Sequence, residues 1–258
     1  MEITVEQVGF SYNGSEEIFS NISFSIKAGQ IISILGPNGI GKTTLLSCLA
    51  KLHTPTSGKI FLNGQDMVFI DHRDIARVIG YVPQNIIPSF DYNVLDYVVT
   101  GVAPWLGIFE KPQKEHFQQA CEALKKVGIE HLKEKPYSKI SAGELQLVSI
   151  ARVITQKVKF VLMDEPTSHL DYGNQIKVLY IIKEMAEEGY GIILTTHNPD
   201  QVFLLEGKVA VFDREGQFYY GNWDEILSDE LLKTIYGVNL KICEVEKVNR
   251  RVCIAPRI

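Results

Sequence analysis

The stretch "QIISILGPNGIGKTTLL", residues 30–46, decides how the rest of the chain is read. Its first half is an apolar run of strand length. Its second half is glycine-rich and ends in Lys42, Thr43 and Thr44 ahead of an apolar helix start, "TTLLSCLA". The spacing Gly36-x-x-x-x-Gly41-Lys42-Thr43 fits the phosphate-loop pattern. Glycines let successive backbone N–H groups turn inward on a phosphate chain, at the start of a helix whose dipole favours negative charge. Gly36, Pro37, Asn38, Gly39, Ile40, Gly41, Lys42, Thr43 and Thr44 are therefore the expected cradle for nucleotide phosphates. Lys42 would reach the outer phosphates and the Thr43 hydroxyl would sit on Mg²⁺. A turn without a ligand is the bland alternative, and the strand before and helix after the loop argue against it.

At 258 residues the chain can bury a sizeable core, as one large domain or two unequal lobes. It is 45% hydrophobic and 22% charged, as a soluble globular protein is, and its net charge of −5 disfavours general attraction to nucleic acid or an anionic membrane. Cys48, Cys121, Cys243 and Cys253 show no CxxC or zinc spacing and read as reduced thiols of a cytosolic protein. The start "MEITVEQVGF" is acidic and alternating, unlike a signal peptide, and no apolar run approaches the ~18 residues of a membrane span.

Alternation in "EITVEQV" and "NISFSIKAG" predicts antiparallel strands with one face buried. The runs "QIISIL", "GKIFLNG", "VIGYVPQ", "KFVLMDEP" and "YGIILTTHN" are expected strands of a buried parallel sheet. Between "VPQ" and "FVLMDE" the character changes. Asn93 can cap a short helix, "VLDYVVTG", and Phe117, Ala120, Cys121, Leu124 and Val127 recur at helical spacing. The expectation is an α/β nucleotide-binding lobe, residues 1–85 and 158–258, interrupted by a mostly helical part over residues 86–157. There is no internal repeat, so each motif occurs once.

"FVLMDEP" ends a buried apolar run in two acids, at the strand end where ligands sit in open α/β sheets. Asp164 would bind Mg²⁺ and Glu165 would polarise an attacking water. A solvated acidic turn is the alternative. His197 after "GIILTT", Gln84 in "YVPQ" and Tyr12 in "FSYNG" are weaker signals alone, although an aromatic face near the loop suits adenine stacking.

"KISAGELQLVSIAR", with the loop, Gln84, "FVLMDEPTSHLD" and His197 in this order and spacing, resembles the ATPase subunit of ATP-binding-cassette transporters over essentially the whole chain. The resemblance implies a P-loop NTPase lobe with an antiparallel β subdomain and an inserted helical subdomain, using ATP and Mg²⁺. It implies adenine stacking by Tyr12, a Walker A loop at Gly36–Thr44 and a Q-loop glutamine at Gln84 that senses Mg²⁺ and the attacking water. It further implies a signature at Ser141, Ala142, Gly143 and Glu144, the Walker B aspartate at Asp164, the catalytic glutamate at Glu165, the D-loop aspartate at Asp171 and the switch histidine at His197. "ISAGE" stands where LSGGQ is usual. Physically "SAGE" is also a capping box, with Ser141 capping a helix and Glu144 reaching back to the cap N–H. The same geometry presents a helix N-terminus and the Ser141 hydroxyl to a γ-phosphate. In the implied fold the signature faces away from its own phosphate loop, so a complete site would need Ser141 from a second identical subunit.

Little chain follows "THNPDQVFLLEGKVAVF", so no appended regulatory barrel is expected. The ending "YYGNWDEILSDELLKTIYGVNLKI", with an expected final hairpin, resembles the iron–siderophore, haem and cobalamin importer subfamily. So does "VLDYVVTGVAPWLG", where Val102 and Trp105 replace an arginine and a histidine common in that group. Its members act with integral membrane permeases and a substrate-binding protein, which implies a place on the cytoplasmic face of the membrane. A soluble cassette ATPase of an assembly system, such as iron–sulfur cluster assembly, is one alternative; a non-hydrolysing nucleotide-binding module is another, and intact Glu165, Asp171 and His197 argue against it. Phe90, Tyr92, Tyr97 and Trp105 close to Gln84 form either the seam between the lobes or a groove for a short cytoplasmic helix of the permease.

Overall fold

The computed structural model describes residues 1–12, 14, 17–84 and 92–257. The alternating amino-terminal segments pair antiparallel as β1 (Glu2–Ser11) and β2 (Glu17–Lys27), with Ile3, Val5, Ile22, Phe24 and Ile26 turned inward. The apolar run before the glycine loop is β3 (Ile31–Leu35), buried at every position, and α1 (Lys42–Leu49) leaves the loop directly. Next come β4 (Ser57–Leu62), β5 (Gln65–Asp66), the short α2 (His72–Ala76) and β6 (Ile79–Val82).

The described chain is then helical, with α3 (Val94–Val99), α4 (Lys114–Lys126) and α5 (Ala142–Gln156) joined partly by 3₁₀ turns. Asn93 caps α3 by accepting from the Asp96 amide at 2.8 Å. The chain re-enters the sheet at β7 (Phe160–Met163). It continues through α6 (Tyr172–Glu187), β8 (Gly191–Thr196), α7 (Pro199–Leu205), β9 (Lys208–Phe212) and β10 (Phe218–Asn222). α8 (Trp223–Ile226), α9 (Asp229–Tyr236) and the expected hairpin of β11 (Lys241–Val245) and β12 (Arg250–Ile254) close the fold.

The larger sheet has the order β10-β9-β3-β8-β7-β6, parallel except where β10 returns along β9. Successive side chains of its strands alternate between two cores, as strand geometry requires. Phe160 and Leu162 enter the core shared with β1, β2, β4 and α1, whereas Val161 and Met163 enter the core shared with α3, α4, α5 and α6. That burial on both faces is why these strands read as continuous apolar runs.

"GKIFLNG" is not part of this sheet, contrary to expectation. It lies in β4, which pairs antiparallel with β1 in a second sheet of order β2-β1-β4-β5. The reason is visible in its pattern: Ser57, Gly58 and Lys59 are exposed and only Ile60 and Leu62 are buried. Only one face of β4 is covered, as suits an antiparallel strand with one solvated side.

The helical part is tied to the sheet by side chains that satisfy main-chain carbonyls. Arg152 Nη2 donates to Tyr81 O at 3.0 Å, Gln156 Nε2 to Ala76 O at 2.6 Å, and Arg73 and Arg77 both donate to Pro104 O through Nε, at 2.9 and 3.0 Å. Trp105 joins this seam, its indole donating to Gln156 O at 2.8 Å and its ring lying 5.4 Å from the Arg77 guanidinium, yet about half of it remains exposed (49%). Tyr97 stacks on Tyr137 within the helical part, Tyr92 is exposed, and Phe90 lies outside the described residues.

Candidate functional site

The glycine loop runs from the end of β3 to the first residue of α1. Gly41 has φ +103°, and a Cβ there would stand 2.6 Å from the Ile18 side chain, so no other residue fits. A Cβ on Gly36 would stand 2.9 Å from Phe212 O. As N-cap of α1, Gly41 offers no side chain to the first-turn N–H groups, which leaves them for an anion.

Lys42 is 5% exposed and donates to Gly36 O at 2.7 Å and Pro37 O at 2.9 Å, with its ammonium 3.9 Å from Glu165 Oε1. Burial holds it below the usual lysine range, while the Glu165 and Asp164 carboxylates oppose that shift. The hydroxyl of Thr43, the next residue, donates to Asp164 Oδ1 at 3.0 Å. The two halves of the site, 121 residues apart, thus meet directly.

Asp164 follows β7 and is buried. Its Oδ1 accepts a second bond, from the Thr195 hydroxyl at 2.7 Å, and Thr195 in turn accepts from the Glu165 amide at 2.8 Å. The parallel register places Met163 beside Leu194, so Asp164 and Thr195 are the next pair along. Glu165 has φ +43°, a conformation a non-glycine residue holds only when its surroundings impose it. Its Oε2 accepts from Gln84 Nε2 at 3.0 Å and lies 3.3 Å from His197 Nδ1. Gln84, Glu165 and His197 come from the ends of three neighbouring strands, β6, β7 and β8.

These groups border a cleft of about 430 Å³ lined by Tyr12, Asn38, Gly39, Lys42, Thr44 and Glu165 among others. Tyr12 stands edge-on to Phe10, and its hydroxyl is 3.5 Å from Thr44 Oγ1. An adjoining cleft of about 320 Å³ shares Asn38, Gln84 and Glu165 and adds Ser168, His197 and Gln201. A larger groove of about 580 Å³ lies at the opposite ends of the strands, around Gln30, Lys183 and Trp223. It holds neither the glycine loop nor the strand-end acids, so size alone misleads here.

The Ser141 segment lines neither cleft. Ser141 caps α5 in the expected capping box: Glu144 N donates to Ser141 Oγ at 3.3 Å, and Glu144 Oε2 accepts from Ser141 N at 2.7 Å and Ser141 Oγ at 2.8 Å. These bonds, backbone first, hold the Glu144 carboxyl below the usual range. Ala142 keeps a negative φ, and a Cβ on Gly143 would come 3.0 Å from Asn174 Nδ2. Asp171 caps α6 through the amide of Asn174 at 2.9 Å and also lies outside both clefts. The structure therefore brings Tyr12, the loop, Gln84, Asp164, Glu165 and His197 together, and sets Ser141–Glu144 beside the α6 start instead.

Thr195 and Gln201 join the site without a motif to announce them. Gln201 Oε1 accepts from Thr167 at 3.1 Å and from Thr196 at 2.8 Å, linking the segment after Glu165 to the one before His197. The available signal was the pair of hydroxyls in "GIILTT", polar residues at the end of an otherwise apolar strand.

The family model for ABC transporters matches residues 19–168. The chain is 34% identical to the molybdate import ATP-binding protein MolC of Haemophilus influenzae over 235 residues, 91% of this chain and 87% of that one. It is 32% identical to the ferric enterobactin transport ATP-binding protein FepC of Escherichia coli, covering 93% and 88%. Among solved structures, it resembles one described as an inward-facing conformation of a metal-chelate type ABC transporter, with a TM-score of 0.87 at 31% identity, covering 99% of this chain and 97% of that one.

Proposed function

The chain belongs to the ABC transporter family as an ATP-hydrolysing subunit of the importer type, and on that premise we propose that it powers uptake of a metal chelate. The cargo class is a siderophore, haem or corrinoid, favoured by the likeness to the metal-chelate type transporter and to the ferric enterobactin protein. The observation that carries the hydrolytic part of this reading is the Glu165 carboxylate, held within 3.0 Å of Gln84 and 3.3 Å of His197 beside Lys42.

In this reading Tyr12 stacks on adenine and the Gly36–Thr44 backbone holds the phosphates. Lys42 exchanges the Gly36 and Pro37 carbonyls for phosphate oxygens. Glu165 takes a proton from the attacking water, and Gln84 and His197 fix the carboxylate toward it. Thr43, Asp164 and Gln84 present hydroxyl, carboxylate and amide oxygens, a hard donor set that suits Mg²⁺, and Thr43 Oγ1 already lies 3.0 Å from Asp164 Oδ1. Bound there, Mg²⁺ would neutralise phosphate charge during transfer.

The reading includes a head-to-tail dimer of identical chains, because each motif occurs once and Ser141–Glu144 line neither cleft. Asp171 would lie at the same interface. The functional division is residues 1–85 with 158–258 against 86–157. No described helix is long and apolar enough to cross a membrane. The likeness to importer subunits favours attachment through a permease at the cytoplasmic face, with a substrate-binding protein upstream. The exposed part of Trp105 and the almost fully exposed Ile108 and Phe109 supply apolar anchors for that permease.

The test mixes Lys42→Ala and Ser141→Arg chains. Each homodimer carries a defect in both sites, whereas one site of the mixed dimer joins an intact loop to an intact signature. The expected result is ATP-dependent closure with about one nucleotide trapped per mixed dimer, as two-state closure by a shared ligand requires. No rescue, with mixed dimers demonstrated, would refute the shared site.

A further inference from the structure

We propose that Tyr236 is a positioning residue for ATP hydrolysis: its hydroxyl fixes the main chain of His197 and, through His197, the carboxylate of Glu165. This rests on the reading of His197 and Glu165 given above.

Tyr236 is the last residue of α9, 39 positions after His197, and its hydroxyl donates to His197 O at 2.8 Å. His197 is thus held from two directions. Its ring faces Glu165 Oε2 at 3.3 Å, and its carbonyl is taken by the carboxy-terminal part of the chain. A ring that is 55% exposed has little packing to fix its direction, so the main chain that carries it must supply the constraint.

The anchor is itself well fixed. Arg214 clamps the end of α9 by donating to Ile235 O at 3.0 Å and Tyr236 O at 2.7 Å. Leu232 and Ile235 bury themselves in a core with Val202 and Phe203 of α7 and Leu35 of β3. A second bond reaches the same segment three residues on, where Asp200 Oδ1 accepts from Cys253 N at 2.8 Å. Residues 197–200 are therefore held to two separate elements beyond β10, one helix and one hairpin strand. Burial first, then the nearby Cys253 and Asp200 side chains, push the Tyr236 phenol up, so it remains a donor across the working range of the enzyme.

Tyr236 lines neither cleft, which sets it apart from the residues placed around the nucleotide in this reading. Loss of its hydroxyl should act on turnover and leave ATP affinity alone. Tyr236→Phe removes only the hydroxyl and keeps the ring in its packing.

Phosphate release by the full chain is measured against Mg²⁺–ATP concentration for wild type, Tyr236→Phe, His197→Ala and the double variant, with Tm recorded for each. Tyr236→Phe should lower kcat about two- to ten-fold, the range set by one neutral hydrogen bond, with KM for ATP unchanged and Tm lowered by no more than about 1–6 °C, too little to unfold the protein at assay temperature. In the His197→Ala background the same change should cost no further rate, because the carbonyl bond remains possible but the imidazole it positions is gone. A wild-type kcat for Tyr236→Phe would overturn the proposal, as would a fall in Tm that accounts for the lost rate. The same factor lost again in the His197→Ala background would show that Tyr236 acts elsewhere and would also overturn it. If His197→Ala is slow and Tyr236→Phe is not, this proposal alone falls; if His197→Ala turns over normally, the assignment of His197 falls with it.

Discussion

Thr195→Val is the substitution that most directly probes how the site is held together. Valine keeps the shape of threonine and removes one hydroxyl, which here makes two bonds in a fully buried position: to Asp164 Oδ1 at 2.7 Å and from Glu165 N at 2.8 Å. Losing a hydrogen bond to an ionised carboxylate costs about 1.5–3 kcal/mol, and leaving the Glu165 amide unpaired costs about 1–3 kcal/mol. Asp164 keeps its bond from Thr43, which offsets part of the first term. The net expectation is about 3 kcal/mol, and at roughly 2–4 °C per kcal/mol for a chain of this size Tm should fall by about 6–12 °C. The Glu165 amide also holds the positive φ of that residue, so turnover should fall as the carboxylate loses its aim. Urea unfolding with an unchanged slope, paired with phosphate release, separates stability from catalysis. Thr195→Ser restores the hydroxyl and serves as the control. A Thr195→Val protein within 1 kcal/mol of wild type and with full turnover would refute this account of the Asp164–Thr195–Glu165 chain.

Glu165→Gln should retain ATP binding and lose about 10²–10⁴ in turnover, with a dimer that persists in ATP and not in ADP by gel filtration. Tyr12→Ala should weaken ATP binding by about 1–3 kcal/mol in a calorimetric titration while leaving kcat at saturating ATP largely intact. Trp105→Ala removes the bond to Gln156 O, the ring's contact with Arg77 and its buried half, so it should cost about 2–3 kcal/mol of stability by denaturant unfolding. In a pull-down it should lower affinity for the permease by 2 kcal/mol or more, roughly thirty-fold.

What could be read from the sequence was whatever is encoded locally. The glycine loop, the capping box at Ser141 and the Asn93 cap each depend on residues within a few positions of one another, and the local pattern is the mechanism. The buried strands were legible because burial on both faces writes a continuous apolar run. The place of β4 is not legible, because a run of three apolar residues, Ile60, Phe61 and Leu62, does not state which neighbour it pairs with. Its exposed Ser57, Gly58 and Lys59 were the cue that only one face is covered. Thr195 and Tyr236 were illegible for a stronger reason: each acts on a residue 30 or 39 positions away, through a sheet register in one case and a helix docking in the other. Of the two readings of the aromatic segment, the seam is visible in the Trp105 indole bond to Gln156 O, while the outward-facing remainder of the ring leaves the docking groove to the pull-down.

The placement of Glu165 bears on how docking at one face could control chemistry at another. Its Oε2 is shared by Gln84 and His197, so a shift of either donor changes what the carboxylate can do for a water. Gln84 lies two residues beyond β6, and β6 is where the helical part grips the sheet, through Arg152 on Tyr81 O and Gln156 beside Gly80. Trp105 bonds to Gln156 in turn. Hydrogen bonds and one short strand therefore connect Trp105 to the segment that carries Gln84. His197 closes the other side, where the carboxy-terminal elements hold its main chain. A carboxylate fixed between two such anchors responds to relative movement of the parts that carry them, which is how a rigid core converts a small displacement into a change of state. Because such a route counts only if coupling is measured, the decisive comparison is Trp105→Ala against Gln84→Ala, singly and together, in permease-stimulated ATP turnover. Effects that merge in the double variant would establish the connection, and effects that add would separate docking from the carboxylate.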